Sequence, residues 1–398
     1  MMLTESIQRT DTACPACNRP HLEVFFRMEQ MPVFCNVLCD TPQQAKDFPR
    51  ADIHLGWCNQ CDLIYNVAFD ASRLDYDAAY ENSLHFSPHF QQFAESLAGE
   101  LVERYALRDK DIIEVGCGQG DFLRLLAQKG GNRAFGFDPS YRGEEGQAPE
   151  EITIIPEAYN ERFTEQPADL ICSRHVLEHI ERPQEFLNSL RRTLGDRTET
   201  PIYIEVPDAL YTLKDMGIWD IIYEHCSYYT PRALGLLFAR CGFKPLYVTE
   251  RYNNQFLSIE ALPAERAVAD DDPAIPPETA QTYVQAFGRE YAGKKQKWQA
   301  NLQSWKRDDR RVVLWGAGSK GVTFLNAMQI DTQQLPYIVD VNPRKQGRFV
   351  VGMAQEIISP EKLREVQPQV VVIMNAVYEQ EIKGTLNELG CGAEVVTA

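Results

Sequence analysis

Asp111-Ile-Ile-Glu-Val-Gly-Cys-Gly-Gln-Gly120 runs straight into Asp121-Phe-Leu-Arg-Leu-Leu-Ala-Gln-Lys-Gly130, and this join decides the fold. The apolar run through Val115 reads as a buried strand, and the segment after Gly120 reads as an amphipathic helix ended by Gly130 and Gly131. Between them stand Gly116, Gly118 and Gly120, with Cys117 inside the turn. Glycine reaches positive φ at no steric cost and lets backbone approach a ligand closely. A helix N-terminus then faces that ligand. Asp138 ends the next strand, AFGFD, about twenty residues on, where an acid can accept both ribose hydroxyls. The spacing is GxGxG, which differs from the GxGxxG of dinucleotide-binding turns.

Outward from this join the pattern repeats. ADLICSR (168–174) and PIYIEVPD (201–208) read as further strands, and HVLEHIERPQEFLNSLRRTL (175–194) opens a helical region between them. Strands alternating with helices predict an α/β fold with a parallel, doubly wound sheet. A second such unit follows: RVVLWG, a helix through GVTFLNAM, then YIVDV and QVVVIMN. Residues 265–278, ERAVADDDPAIPPE, are acidic and proline-rich and read as a linker. A long polar helix is expected from about Thr279 to Lys306. The predicted organisation is a metal-binding domain at 1–75, a Rossmann-like cofactor domain at 76–263, linker and helix at 264–306, and a second Rossmann-like domain at 307–398.

A chain of 398 residues is too long for one ordinary core. Its formal net charge of -17 argues against nucleic acid as a partner, because a polyanion is held by clustered Lys and Arg. A small anionic ligand needs only a few local cations. No stretch approaches the ~20 apolar residues of a membrane span, and MMLTESIQRTDTA carries no apolar signal core. A cytoplasmic protein with no membrane partner, a monomer or homodimer, is expected. The 11 cysteines are an odd number and argue for reduced thiols, some of them metal ligands. Cys14-Pro-Ala-Cys17 and Cys58-Asn-Gln-Cys61 each present two thiolates on a tight turn, and together they make the four-thiolate pattern of structural zinc. Four cysteines leave no position for a reacting water. Residues 18–57 supply the insertion between the pairs, and Cys35 and Cys39 read as bystanders.

The GxGxG turn with Glu114 before it resembles motif I of class I methyltransferases. That resemblance implies S-adenosylmethionine as cofactor, with Glu114 near its methionine moiety and Asp138 on its ribose. SRHVLEHI, containing His175 and His179, looks like the segment after strand four of the same family, beside the methyl group. HVLEH also fits the HxxEH pattern of zinc peptidases. That pattern belongs on a long helix, and Pro183 interrupts too soon. In chain order, CxxC…CxxC, YDAAYENS, EVGCGQG, SRHVLEHI and YEHCSYYTP resemble the sugar C-methyltransferases that act on nucleotide-linked keto-deoxysugars. The resemblance covers essentially the whole chain. It implies that Tyr223, Glu224 and His225 lie beside the sugar with His225 as base. It places His179 and either Tyr76 or Tyr80 near the substrate, and gives the substrate's nucleotide end to the last domain.

The chemistry fits these residue types. C-methylation needs a carbanion, and a hydrogen next to a ketone is acidic enough for an imidazole if the enolate is stabilised. In the last domain Lys320, Arg344, Lys345 and Arg348 are candidates to neutralise a diphosphate. Gly316-Ala-Gly-Ser-Lys-Gly321, with Asp340 after the next strand, also fits a dinucleotide turn. An NAD(P)-dependent reading led by that domain therefore stays open. So does O- or N-methylation, with His225 deprotonating a hydroxyl.

Overall fold

The computed structural model describes residues 8–74, 80–81, 83–143, 151–266 and 268–398; Tyr76 lies outside the described residues. Three sheets organise the chain. The central one has seven strands in the order Phe243–Arg251, Phe256–Pro263, Ile202–Pro207, Leu170–Arg174, Asp111–Val115, Arg133–Phe137, Ile152–Ile155. The last five are mutually parallel, and the 243–263 hairpin adds antiparallel to Ile202–Pro207. Asp111–Val115 is buried along its whole length, because parallel strands flank it on both sides. Its carboxyl end therefore delivers Gly116 to the top of the sheet, where open α/β sheets bind ligands.

The third sheet is all parallel: Glu356–Ile358, Tyr337–Val339, Val312–Trp315, Val370–Ile373, Glu394–Thr397. The N-terminal sheet is antiparallel: Gln8–Arg9, Glu23–Pro32, Arg50–Trp57, Ile64–Asn66 and finally Ser227–Tyr228. Its last strand comes from the segment that carries the histidine candidates, so residues 8–74 do not close their sheet alone.

The connecting segments are built into the core. Helix Gln281–Arg307 buries Phe287, Trp298 and Trp305. The Phe287 ring lies 4.9 Å from Phe26 of the N-terminal sheet, and Trp298 lies 5.1 Å from Phe324 of the last unit. The expected 265–278 linker is packed as well. Ile275 is 5% exposed and sits against Gly235, where an added Cβ would meet it at 3.2 Å. An apolar side chain among the prolines overrides the composition of that stretch, and truncating it would cost about 2–5 kcal/mol. Among the described residues, no helix is long and apolar enough to cross a membrane.

Candidate active site

The glycine turn is fixed from the next strand. Gly116 N donates to Phe137 O at 2.7 Å, and Gly118 N donates to Asp138 Oδ2 at 2.7 Å. Gly116 has φ +72, and a Cβ there would reach Val176 Cγ2 at 2.2 Å, so only glycine fits between the turn and the segment that carries His175. A Cβ on Gly118 would meet nothing within 4 Å, so the turn is open on that side. Gly120 caps the helix Asp121–Gly130 in a left-handed conformation. Glu114 is 3% exposed, and its Oε2 has no hydrogen-bond partner. Burial pushes its carboxyl up to about 8, with Arg174 opposing. An orphaned buried carboxylate beside an open glycine turn suits a cationic ligand with a polar body. The Cys117 side chain is buried: its Sγ fills the space over Gly136, where a Cβ would come within 2.5 Å, and burial raises its thiol pKa. Its thiol also reaches Gly118 O at 3.7 Å, within the turn itself.

His175 joins this turn to a neighbouring cavity. Its φ of +56 is uncommon for a bulky residue. The conformation sets Nε2 3.2 Å from Glu205 Oε1 and Nδ1 3.6 Å from Glu178 Oε1. Burial alone would push its pKa down, but the Glu178 and Glu205 carboxylates beside it raise it to about 9. Glu205 also pairs with Arg174 at 2.7 Å. Breaking one partner of such a buried pair typically costs about 3–5 kcal/mol.

The cavity measures about 290 Å³. His175, Glu178, His179, His225 and Tyr80 line it together with Gly316, Gly318, Lys320, Asp340 and Asn342 of the last unit. His179 ends a short 3-10 turn, Leu177–His179, and Pro183 starts a separate helix, so HVLEH lies on no long helix. The His179 and His225 rings meet edge to face at 4.9 Å. His179 Nδ1 lies 3.0 Å from Glu224 O; a carbonyl only accepts, so Nδ1 donates. His225 Nδ1 is buried without a hydrogen-bond partner. Burial, with His179, His175 and Lys320 adding positive charge, lowers the His225 pKa well below the usual imidazole value.

Two neighbours of His225 in the chain face elsewhere. Glu224 is fully buried, and its Oε2 accepts the Cys35 amide at 2.7 Å. Burial raises its pKa, against His179, that amide and the Tyr80 phenol. Its backbone orients a histidine, and that histidine is His179. Tyr223 is also fully buried; its hydroxyl accepts from Asp70 N at 2.9 Å and it does not line the cavity. It anchors the loop at Asp70. Glu178 was passed over in the sequence, although it stands beside His179 in LEH. One carboxylate oxygen of Glu178 and one ring nitrogen each of His179 and His225 all lie within 4.8 Å of one another.

The basic candidates of the last unit do not converge. Lys320 pairs with Asp220 and sits 4.9 Å over the Tyr211 ring. Lys345 is 4% exposed and donates to Ala317 O at 3.1 Å, bracing the Gly316 turn. Both line the cavity. Arg344 pairs with Glu81 at 3.2 Å, Arg348 pairs with Asp40, and neither lines it. Asp340 repeats the device of Asp138, its Oδ2 accepting Ala317 N at 2.9 Å.

At the N-terminus the four cysteines of the CxxC pairs gather, with Cys14 Sγ 3.5 Å from Cys61 Sγ and Cys17 Sγ 3.6 Å from Cys58 Sγ. Each turn ends in a left-handed residue, Asn18 (φ 57) or Asp62 (φ 67), whose amide bonds back to Cys14 O or Cys58 O at 2.8 Å. Asp62 also accepts from Trp57 Nε1 and Ala280 N, and from Thr230, which caps helix Pro231–Arg240. The thiol cluster is thereby tied to the central unit. Cys35 and Cys39 lie apart from it, against Glu224 and Phe349 respectively.

Comparison with known proteins covers both α/β units. Residues 90–248 match the model of a methyltransferase domain, and residues 266–397 match that of the C-methyltransferase C-terminal domain. The chain is 28% identical over 311 residues to the C-methyltransferase NovU of Streptomyces niveus, an alignment covering 73% of this chain and 72% of that protein. Two similar solved structures are the 1,6-didemethyltoxoflavin-N1-methyltransferase of Burkholderia thailandensis and the magnesium protoporphyrin IX methyltransferase of Synechocystis PCC 6803. The first is 14% identical (TM-score 0.35, 45% of this chain, 82% of that one), and the second is 18% identical (TM-score 0.34, 44% and 84%). The C-terminal match includes Gly316, Lys320 and Asp340, which line the same cavity as the histidines. With regions that match a methyltransferase domain and a C-methyltransferase C-terminal domain in tandem, the chain is similar to the S-adenosylmethionine-dependent C-methyltransferases.

Proposed function

We propose that the chain methylates a carbon next to a ketone in a nucleotide-linked keto-deoxysugar or a similar anionic keto compound. One observation carries this reading: a single cavity is lined both by His179 and His225 and by the turn with Gly316, Gly318 and Lys320 that opens helix Ser319–Met328. A reacting ketone and an anionic handle suit those two sets of residues. His225 takes the proton from carbon, and the C–H pair moves onto the carbonyl oxygen as an enolate. His179 uses Nδ1 for Glu224 O, so Nε2 is the nitrogen that donates to the enolate oxygen when protonated. S-adenosylmethionine, when bound, supplies an electrophilic methyl on a sulfonium whose sulfur leaves with the bonding pair. Glu114, Gly116, Gly118, Gly120 and Asp138 are the residues that would hold it. We also assign the cluster Cys14, Cys17, Cys58 and Cys61 to a structural zinc, which four thiolates suit.

Glu114 gives the cofactor assignment a proton signature. With its carboxyl raised to about 8, Glu114 is mostly protonated at pH 7. A cation bound beside it favours the charged form, so binding expels that proton and affinity rises with pH up to about 8. Calorimetry of S-adenosylmethionine binding at pH 7, in buffers of different ionisation enthalpy, is expected to show proton release that Glu114→Gln abolishes. Proton-neutral binding by the native chain contradicts this.

Lys320 tests the substrate handle. Its charge is held by Asp220 and Tyr211 at the cavity wall, where an incoming phosphate can exchange for the carboxylate. Lys320→Ala is expected to raise KM for the nucleotide-linked substrate by roughly 10- to 100-fold, the loss of one charge-assisted hydrogen bond. Little change in kcat is expected, the pattern of lost uniform binding. A fall in kcat at unchanged KM assigns Lys320 to the chemistry.

A further inference from the structure

Glu178 has no part in the steps above, yet its placement is costly. Its side chain is 2% exposed, it lines the cavity, and neither carboxylate oxygen has a hydrogen-bond partner. A buried carboxylate of this kind is retained where a positive charge compensates it. His175 is the nearest cation, at 3.6 Å, and Glu178 raises its pKa, but His175 also answers Glu205 at 3.2 Å. The remaining neighbours are His179 and His225, each with a ring nitrogen within 4.8 Å.

His225 has the opposite problem. His175 and His179 face it from one side and Lys320 from the last unit, and all three disfavour a positive charge on its ring. Tyr228 contributes a ring at 6.0 Å. Among the described residues, Glu224 spends Oε2 on the Cys35 amide and leaves Oε1 without a partner, and Asp220 pairs with Lys320. Burial and these neighbours disfavour the imidazolium that forms when a proton arrives from carbon, so a base here needs an opposing charge.

We infer that Glu178 is the positioning carboxylate of the base, set opposite His225 to stabilise the imidazolium formed when the substrate's proton arrives. The inference rests on the reading of His225 as base. The C–H bond breaks, an N–H bond forms on His225, the electron pair goes to the enolate oxygen, and Glu178 itself takes no proton. The division of labour parallels catalytic triads, in which a buried acid holds a histidine's charge without becoming protonated. The carboxylate beside the base is thus the one in LEH, and the one in YEH holds the Cys35 amide.

The test is histidine-labelled NMR of the full chain saturated with S-adenosylhomocysteine. The chain has 7 histidines, and the His225 signal is the one missing in His225→Gln. In Glu178→Gln the His225 titration is expected about one pH unit or more below the native value, since an opposite charge at this range shifts a pKa by roughly 1–3 units. Glu178→Asp is expected to recover part of the shift, and it carries the comparison if Glu178→Gln fails to fold. An unchanged His225 titration overturns the inference, as does a shift confined to His175. A divalent metal found on Glu178, His179 and His225 in the purified enzyme also overturns it. The titration is read without substrate, so its failure is distinct from failure of the base assignment, which turnover by His225→Ala decides.

Discussion

His225→Ala is expected to lower methyl transfer by roughly 10²–10⁴-fold, the usual worth of a general base. Solvent deuterium exchange at the carbon next to the ketone is expected to disappear with it. Affinity for S-adenosylhomocysteine should stay near native, because the cofactor turn is built from Gly116, Gly118 and Asp138 and reaches the cavity through Val176 and His175. The reason for choosing His225 over His179 is geometric. His179 Nδ1 is committed to Glu224 O, whereas His225 Nδ1 is buried in the site with no partner. His179→Ala should therefore slow turnover while leaving some exchange, since it removes an oxyanion donor. Full exchange in His225→Ala with none in His179→Ala would reverse the two roles.

The second large effect concerns the four thiols. Native protein is expected to carry about one zinc per chain, and Cys58→Ser/Cys61→Ser to carry none. Structural zinc contributes an apparent ~10–16 kcal/mol in small domains, which is comparable to the whole stability of a typical protein. The sheet built on Glu23–Pro32 and Arg50–Trp57 should consequently lose its order in the double variant. The loss should spread, because Asp62 beside Cys61 holds both Thr230 and the Ala280 amide. Metal analysis with near-ultraviolet circular dichroism reads both effects. Zinc content unchanged in the double variant would contradict the assignment.

What was legible in the sequence is what local rules decide. Glycines that need positive φ, a helix starting at Asp121 and paired CxxC turns each depend on a few adjacent residues. What was illegible depends on partners far along the chain. Tyr223, Glu224 and His225 are consecutive, yet their side chains go to Asp70, to Cys35 and to the cavity. In irregular backbone, adjacency in sequence says nothing about direction. Ser227–Tyr228 completes a sheet begun about two hundred residues earlier, and no local pattern in two residues reveals that. The 265–278 stretch looked like a linker because its composition is acidic and proline-rich, but Ile275, Val268 and the Asp270–Arg240 ion pair pack it down. Glu178 stood inside a string already singled out; the signal available was an acid directly beside a site histidine in an apolar setting. The GxGxxG turn at Gly316 reads equally as a dinucleotide fingerprint, and the family match at 266–397 assigns it to a C-methyltransferase domain.

The central claim is that an enolate formed at His225 receives the methyl group on carbon. Its most direct test is NMR of the product made from methyl-13C-labelled S-adenosylmethionine and a nucleoside-diphosphate-linked keto-deoxysugar. The account predicts that the labelled methyl is coupled to the carbon next to the ketone, at a position whose hydrogen the native enzyme exchanges with solvent. A labelled methyl on oxygen or nitrogen, or carbon methylation that persists undiminished in His225→Ala, would contradict it.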